Sequence, residues 1–472
     1  MIGFLAFALP CILFVRFPST LWNFDGVACA AAVELGQPAY LFHANHLAYG
    51  FLGFLFWKIV GLPLGLSRAL PALQLFSSLL SAAGLIGLYR LLGYVLKNKI
   101  MALLLTFSMA LTAAFWVWSV EAQVYPLGFL PLAWAAYFLV AGQSRYKYVW
   151  VGLLHGAAIL GHQMHALWII PALYWMKQDK NSSPLALYQY LTPLALITVV
   201  PYLLVLGFVI APGRDLGHIL IWLKGSAGLT PNRDWAWHFP GWNGPWIWIK
   251  STAPALWGSF WPYGKTMLPP WIWVLTAVSA ATFLILLIRG SALPSEKLAR
   301  FSGLWLGVYG LFLSTWEPET LCYRMTDIIP LGILLALGLQ SMRRRLQALL
   351  ISLLLVSMLT INWFSQIRPM HQSERNSIYQ DTLNLSKTTS PNSLYITGGG
   401  IPWIYILYFT GRSAWNTRAF TAAQLENELN RQKRARPVYI QSLLLRDPKV
   451  LESLKTQKLQ QVEEGSSWLQ VR

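Results

Sequence analysis

A polytopic, all-α membrane protein with a small α/β domain after its last span is the fold class this sequence predicts. Three observations carry that reading. First, 56% of the 472 residues are hydrophobic and only 11% are charged, with a mean hydropathy of +0.47, against about 25% charged residues in soluble domains. Second, the apolar residues fall in long continuous runs that do not alternate, and in hydrocarbon such runs must be helices to satisfy their own backbone. Third, from residue 365 the composition turns mixed and polar, which marks a domain outside the bilayer.

A span needs about 20 mostly apolar residues. Eleven segments qualify or nearly so, at 2–20, 70–95, 100–118, 124–142, 149–161, 166–176, 186–212, 270–288, 301–314, 326–341 and 347–364, the fifth and sixth being short. With the N-terminus inside, the cytoplasmic loops hold Arg90, Lys97, Lys99, Arg145, Lys147, Lys177, Lys180, Arg289, Lys297, Arg300, Arg343, Arg344 and Arg345, against only Asp179 and Glu296. Basic residues concentrate on the cytoplasmic side, so this asymmetry sets the orientation in the plasma (inner) membrane, with the C-terminal domain periplasmic or otherwise extracytoplasmic. The stretch 46–63, "HLAYGFLGFLFWKIVGLP", is apolar enough to cross. If it crossed, the Arg343 to Arg345 cluster would land outside, so it is expected to lie in the outer interface.

The formal charge of +18 is spread thinly between apolar runs and in the tail, so topology explains it and nucleic acid is not an expected partner. Cys11, Cys29 and Cys322 lie far apart without CxxC spacing, which indicates neither a disulfide framework nor a zinc site. The opening segment lacks a basic n-region and an A-x-A site before Asp25, so it reads as a retained span.

On this map the outer face collects the unusual features. A loop of about fifty residues (20–69) holds Asp25, where the first apolar run ends. A carboxylate there is either a helix cap, with Asn23 competing for the same task, or a catalyst. Glu121 sits in a tight turn between apolar runs, where an ionisable group is either solvated or functional. His162 and His165 stand at i, i+3 between the two short spans and would share a helix face. The outer loop 213–269 contains eight of the 24 tryptophans with Pro240, Pro245 and Pro254, a composition suited to the headgroup layer.

The tail alternates strand and helix. "SLYIT", "GGG" (398–400), a helical "TAAQLENELNRQ" (421–432), "VYIQ" (438–441), "DPKVLESLK" (447–455) and a closing "WLQVR" predict a small α/β domain with a short sheet. Its triple glycine is not GxGxxG, so it gives no dinucleotide fingerprint. Two domains are expected, 1–364 in the membrane and 365–472 outside it.

The order of elements resembles the GT-C membrane glycosyltransferases, in particular the branch called DUF2723 that is similar to protein O-mannosyltransferases. The matching pieces are the Asp25 segment, "HANHLAYGFLGFLFW" (43–57), "LSRALPALQLFSSLLSAAGLIGLYRLL" (66–92), "FWVWSVEAQVYPLGFL" (115–130), "GLLHGAAILGHQMHALWIIPAL" (152–173) and "YRMTDIIPLGILLAL" (323–337). The resemblance covers roughly residues 1–340, and the fourth piece, which runs from Trp118 through Glu121 to Tyr125, is close to a Trp-x-x-x-Glu-x-x-x-Tyr pattern of that branch.

The resemblance implies an inverting transfer of a sugar, with mannose the candidate, from a polyprenyl-phosphate donor to an acceptor hydroxyl at the outer face. An oxocarbenium-like transition state needs a base on the acceptor and donors or a cation on the departing phosphate. The lipid phosphate leaves without protonation, so one carboxylate suffices where a glycosidase uses two. Asp25 is then the candidate base. The family often places a second acid close behind it, whereas here Gly26, Val27 and Ala28 follow and Glu34 is nine residues on. Glu121 has three open roles: assisting Asp25, binding acceptor hydroxyls, or holding a divalent metal, the one cofactor under consideration; Tyr125 is a candidate for substrate binding.

His162 and His165 are candidates for the donor phosphate, as cations or as neutral donors; zinc lacks further ligands of defined spacing. Arg68 and Arg324 lie at outer ends of spans, where a guanidinium either clamps phosphate or snorkels to headgroups. His43, His46 and Tyr49 are placed to line the site from the interfacial stretch. Glu317 and Glu319 stand beside Arg324 in "TWEPETLCYR", as a salt-bridged loop or as part of donor or acceptor binding. The expected partners are the lipid-linked sugar, membrane lipids, and an acceptor that is protein, glycan or lipid. Two other classes compete: a non-catalytic lipid- or glycan-binding relative, and a transporter or flippase, which would show polar mid-span residues or repeated halves.

Overall fold

A computed structural model describes residues 2–179, 185–224, 243–258, 269–292, 296–455, 457–462 and 467–471. Lys180, Pro240 and the parts of the tryptophan-rich loop at 225–242 and 259–268 lie outside the described residues. The chain divides into two compact units, one of residues 1–19 with 32–371 and the other of residues 20–31 with 372–472.

Every one of the eleven expected segments is helical, but eleven crossings is corrected. Among the described residues five helices are long and apolar enough to span a bilayer: Ala69–Leu96, Ala186–Ile210, Pro270–Ser291, Leu321–Gln340 and Arg344–Met370. A sixth arises if Lys99–Ala110 and Ala113–Ser119, bent by 74°, count as one broken span. Several of the remaining helices are too short, whereas Lys297–Thr315, at 19 residues, is long enough but not apolar enough. At 1.5 Å per residue, the 15 residues of Lys147–Gly161 reach about 22 Å of the roughly 30 Å core. The stretch 46–63, expected at the interface, is likewise short, an α-helix Tyr49–Phe56 continued by a π-helical turn Trp57–Gly61.

Helix Ala69–Leu96 is the hub of the first unit, packing against Ile2–Arg16, Lys99–Ala110, Tyr125–Ala141 and Ile328–Gln340. Lipid tails give helices no hydrophobic reason to associate, so small residues that admit close backbone approach decide packing. Helices Pro270–Ser291 and Ile328–Gln340 cross in this way. A Cβ on Gly338 would lie 2.1 Å from the carbonyl oxygen of Leu286, and one on Gly290 would lie 2.0 Å from that of Leu334. Both obstacles are backbone and cannot yield. Gly338→Ala is therefore expected to cost about 1–3 kcal/mol as overpacking, read as a lowered thermal unfolding midpoint of purified protein; an unchanged midpoint would refute the close crossing.

The second unit is built on a five-stranded sheet in the order β2-β1-β3-β5-β4, with β1 Leu394–Thr397, β2 Ser413–Asn416, β3 Val438–Gln441, β4 Leu459–Gln461 and β5 Trp468–Val471. β1 runs parallel to β2 and β3, while β5 is antiparallel to β3 and β4. On one face Leu394, Ile396, Val438 and Ile440 bury against Leu425 and Leu429 of helix Ala422–Gln432 and Val450 of Pro448–Ser453. That first helix starts where the sequence says it should, since Thr421 and Gln424 close a capping box. Tyr395, Tyr439, Trp468, Leu385 and Ile406 fill the other face.

Candidate functional site

The segment carrying Asp25 belongs to the second unit. Trp22 is wedged among Tyr379, Tyr405 and Phe409, with ring centroids 5.1, 6.2 and 4.9 Å away. Its carbonyl accepts from the Tyr405 hydroxyl at 2.5 Å, and the side-chain amide of Asn376 donates to the Thr20 carbonyl at 2.8 Å. Phe24 then stacks on Trp403 at 6.3 Å. Helix Phe24–Leu35 begins here, and the cap question is answered: Asn23 Oδ1 accepts from the Gly26 N–H at 2.8 Å. Asp25 is thus relieved of capping, and its side chain makes no hydrogen bond or ion pair among the described residues. Its side chain is exposed, while neighbouring protein strips enough hydration to push the carboxyl above the usual carboxylate range. Cys29, one turn on, is pushed up to about 12 by desolvation and then by the negative charge of Asp25, so at neutral pH it is a thiol.

In the first unit a row of polar side chains on helix Ala69–Leu96 fixes the turn that carries Glu121. Gln74 Nε2 donates to the carbonyls of Ser19 and Val120 at 2.7 and 3.1 Å. Ser78 Oγ donates to the Ser119 carbonyl at 2.9 Å, and Ser77 Oγ exchanges bonds of 3.1 Å with the backbone of Gln123. Glu121, enclosed by these clamps, is 1% exposed, so the alternative of a solvated turn glutamate does not hold. Burying a carboxylate is expensive, which keeps a functional role for it in view. The Tyr49 hydroxyl lies 3.4 Å from the same Ser77 Oγ and ties the helix Tyr49–Phe56 to this turn.

The histidines gather where the loop around residue 45 meets the end of helix Lys147–Gly161. Gln163 N–H donates to the Asn45 carbonyl at 2.8 Å, Gln163 Nε2 to Asn45 Oδ1 at 3.0 Å, and Ala48 N–H to the Leu160 carbonyl at 3.0 Å. His43 stacks on His46 at 4.4 Å. His162 stacks on Tyr125 at 5.4 Å and meets Tyr323 edge-on at 5.8 Å. His165 turns inward, fully buried, with Nδ1 3.1 Å from the Tyr309 hydroxyl. It therefore does not share an accessible face with His162.

The arginines are engaged differently from the sequence expectation. Arg68 Nε lies 2.9 Å from Glu34 Oε1, and the same oxygen accepts from the Ala69 N–H at 2.8 Å. Glu34 is thereby occupied in capping the hub helix. Arg324, 4% exposed, donates from Nε to Asp327 Oδ2 at 2.5 Å and through its terminal nitrogens to Trp248 O, Ser251 Oγ and Thr252 Oγ1 at 2.8, 2.6 and 2.9 Å. Its ion-pair partner is Asp327, while Glu317 accepts from Thr320 at 2.9 Å. Among the described residues no three His, Cys, Asp or Glu side chains are grouped so as to hold a metal ion.

No family model matches the sequence, and no curated protein matches it either. Solved structures do. ArnT from Cupriavidus metallidurans bound to undecaprenyl phosphate superposes with a TM-score of 0.63 at 12% identity, covering 99% of this chain and 97% of its own. The apo state of the same protein gives 0.64 at 11% identity, over 98% and 95%. The chain shares the fold of these two structures. At this identity the likeness speaks for the fold alone, and it runs through both units.

Two groups were missed from sequence. The Gln74, Ser77, Ser78 row was signalled by polar residues at i, i+3 and i+4 inside an apolar span. Asp327 was signalled by its position three residues after Arg324 in an apolar stretch.

Proposed function

We propose that this protein is a GT-C glycosyltransferase that moves a sugar from a polyprenyl-phosphate carrier to an acceptor hydroxyl on the extracytoplasmic side of the membrane. The observation that carries the reading is Asp25: an exposed carboxylate at a helix start, relieved of capping by Asn23 and held in place by the aromatic anchor of Trp22. In the reaction Asp25 takes the proton of the acceptor hydroxyl. The oxygen bonds to the anomeric carbon as the bond from that carbon to the phosphate oxygen breaks, and the electron pair leaves with the lipid phosphate. Inversion follows from the single displacement.

The binding residues fall into two groups. His43, His46, Tyr49, Tyr125 and His162 bind the donor, with His165 behind His162, and Glu121 keeps a catalytic role from its buried turn. Arg68 and Glu317 bind at the margin, and Arg324 holds the helix Asn243–Trp257 in place from its paired position. The carrier class is supported by the bound undecaprenyl phosphate of the Cupriavidus metallidurans ArnT structure. Mannose as the sugar and the O-mannosyltransferase-like branch rest on the sequence resemblance, as does the orientation with the N-terminus cytoplasmic. Purified protein given polyprenyl phosphate carrying labelled sugar, with membrane extract as acceptor source, is expected to release free polyprenyl phosphate. No release with any of several sugars would shift the reading to a binding protein that keeps the fold.

A further inference from the structure

The protons of two histidines are located by their backbone partners. The Asn45 N–H donates to Nδ1 of His43 at 3.2 Å, and the Met164 N–H donates to Nδ1 of His162 at 3.3 Å. A ring nitrogen that accepts an N–H is unprotonated, so in each ring the proton sits on Nε2. Protonating Nδ1 would break the bond and set two hydrogens against each other, so both rings resist becoming cations. Burial acts in the same direction. Desolvation, then His43, pushes His162 down to about 3, and desolvation lowers His43. His46 is held well below its usual value by desolvation and then by His43 and His162.

His155 shares the tautomer, because its Nε2 donates to the His165 carbonyl at 2.8 Å, but that donor is used within the fold. The Nε2–H groups of His43 and His162 have no partner among the described residues. The clasp between Asn45 and Gln163 sets the two rings near one another, and Tyr125 and Tyr323, 5.5 Å apart edge to face, line His162. Among the described contacts, the titratable groups facing the pair are His46, His165, Tyr125 and Tyr323, and the Tyr202 hydroxyl donates to the Ala44 carbonyl beside His43. No lysine or arginine appears among these described contacts. Arg324, next in sequence to Tyr323, has its donors on Asp327 and the helix Asn243–Trp257.

We propose that His43 and His162 are a pair of neutral, tautomer-locked donors to hydroxyl oxygens of the transferred sugar, with Tyr125 and Tyr323 as the apolar wall for its ring. The inference rests on the transferase reading above and assigns this cluster to the sugar, not to the phosphate. A phosphate oxyanion calls for a fixed cation or draws a proton onto imidazole. A sugar offers uncharged oxygens that suit neutral N–H donors, and C–H faces that suit aromatic rings.

The test is binding of four lipids to purified protein: bare polyprenyl phosphate and the same carrier bearing mannose, glucose or arabinose. Wild-type protein is expected to bind at least one sugar-bearing lipid about tenfold more tightly than the bare carrier, the worth of roughly one net hydrogen bond. His162→Leu and His43→Leu are expected to erase that preference and leave bare-carrier binding unchanged. His162→Gln, whose amide N–H takes the place of Nε2–H, keeps most of it. The preference is expected to stay level from pH 6 to 8.5. Equal loss of bare-carrier binding in the leucine variants would overturn the proposal by assigning the histidines to the phosphate, as would affinity that climbs steeply on acidification. Absence of any sugar preference in wild type, with the carrier still bound, would overturn it alone; a wild type that binds none of the four removes the transferase reading with it.

Discussion

Replacing Asp25 by Asn is expected to lower sugar transfer by about 10²- to 10⁴-fold, the usual share of a general base, while leaving the unfolding midpoint nearly unchanged. The two halves of that expectation come from different observations. Asn is the same size and cannot take a proton, so the chemistry is lost. The carboxylate makes no hydrogen bond among the described residues and is exposed, so little stability goes with it, as for other surface substitutions within about 0.5 kcal/mol. The pH profile gives a second readout. Desolvation pushes the Asp25 carboxyl above the carboxylate range, and the base is the ionised form. Activity is therefore expected to rise with pH through that elevated value and to fall on its acid side, with kcat/KM losing this limb in Asp25→Asn. Turnover of Asp25→Asn equal to wild type would remove Asp25 from the mechanism; a large fall in unfolding midpoint would make it a structural group.

Legibility from sequence followed burial pattern closely. Continuous apolar runs located the eleven expected helical segments, since hydropathy reports whether a segment is buried in lipid or protein, but not the helices Leu216–Lys224 and Asn243–Trp257 within the tryptophan-rich loop. Hydropathy does not report axial length, so short helices such as Lys147–Gly161 and the pair bent by 74° were counted as crossings. In the second unit the interior strands VYIQ and LYIT were visible because they are apolar on both faces, with Leu394 to Thr397 all buried. The missed strands, SAWN and LQQ, are the two sheet edges, half exposed and too polar to stand out. At the site, the local Asn23 cap was readable and Glu34 was not, because its partner at Ala69 is 35 residues away. The tautomers of His43 and His162 depend on backbone N–H groups two residues on, a geometry that spacing alone does not specify.

Asp327→Ala is expected to be the most destabilising single change in the first unit, at about 3–5 kcal/mol, because removing one partner strands the other charge. Arg324 and Asp327 are 3% and 4% exposed in their side chains, the guanidinium stacks 4.6 Å over Trp248, and its other donors end on Trp248, Ser251 and Thr252. The pair thus fastens the helix Asn243–Trp257 to the start of Ile328–Gln340. A buried pair of this kind is weak as net stabilisation, since desolvation offsets the attraction, yet costly to break by halves. The double variant Arg324→Met with Asp327→Leu is accordingly expected to recover much of the loss, and the cycle of four proteins to show strong non-additivity. Thermal unfolding of the four purified proteins measures this directly. If Arg324 instead serves the donor phosphate, Arg324→Lys would raise KM for the lipid with little change in unfolding midpoint, and Asp327→Ala would be nearly silent in stability. The clamp predicts the reverse: Lys, with one point charge and no planar fork, cannot reach Asp327, Ser251, Thr252 and the Trp248 carbonyl together, so the midpoint falls first and activity follows it.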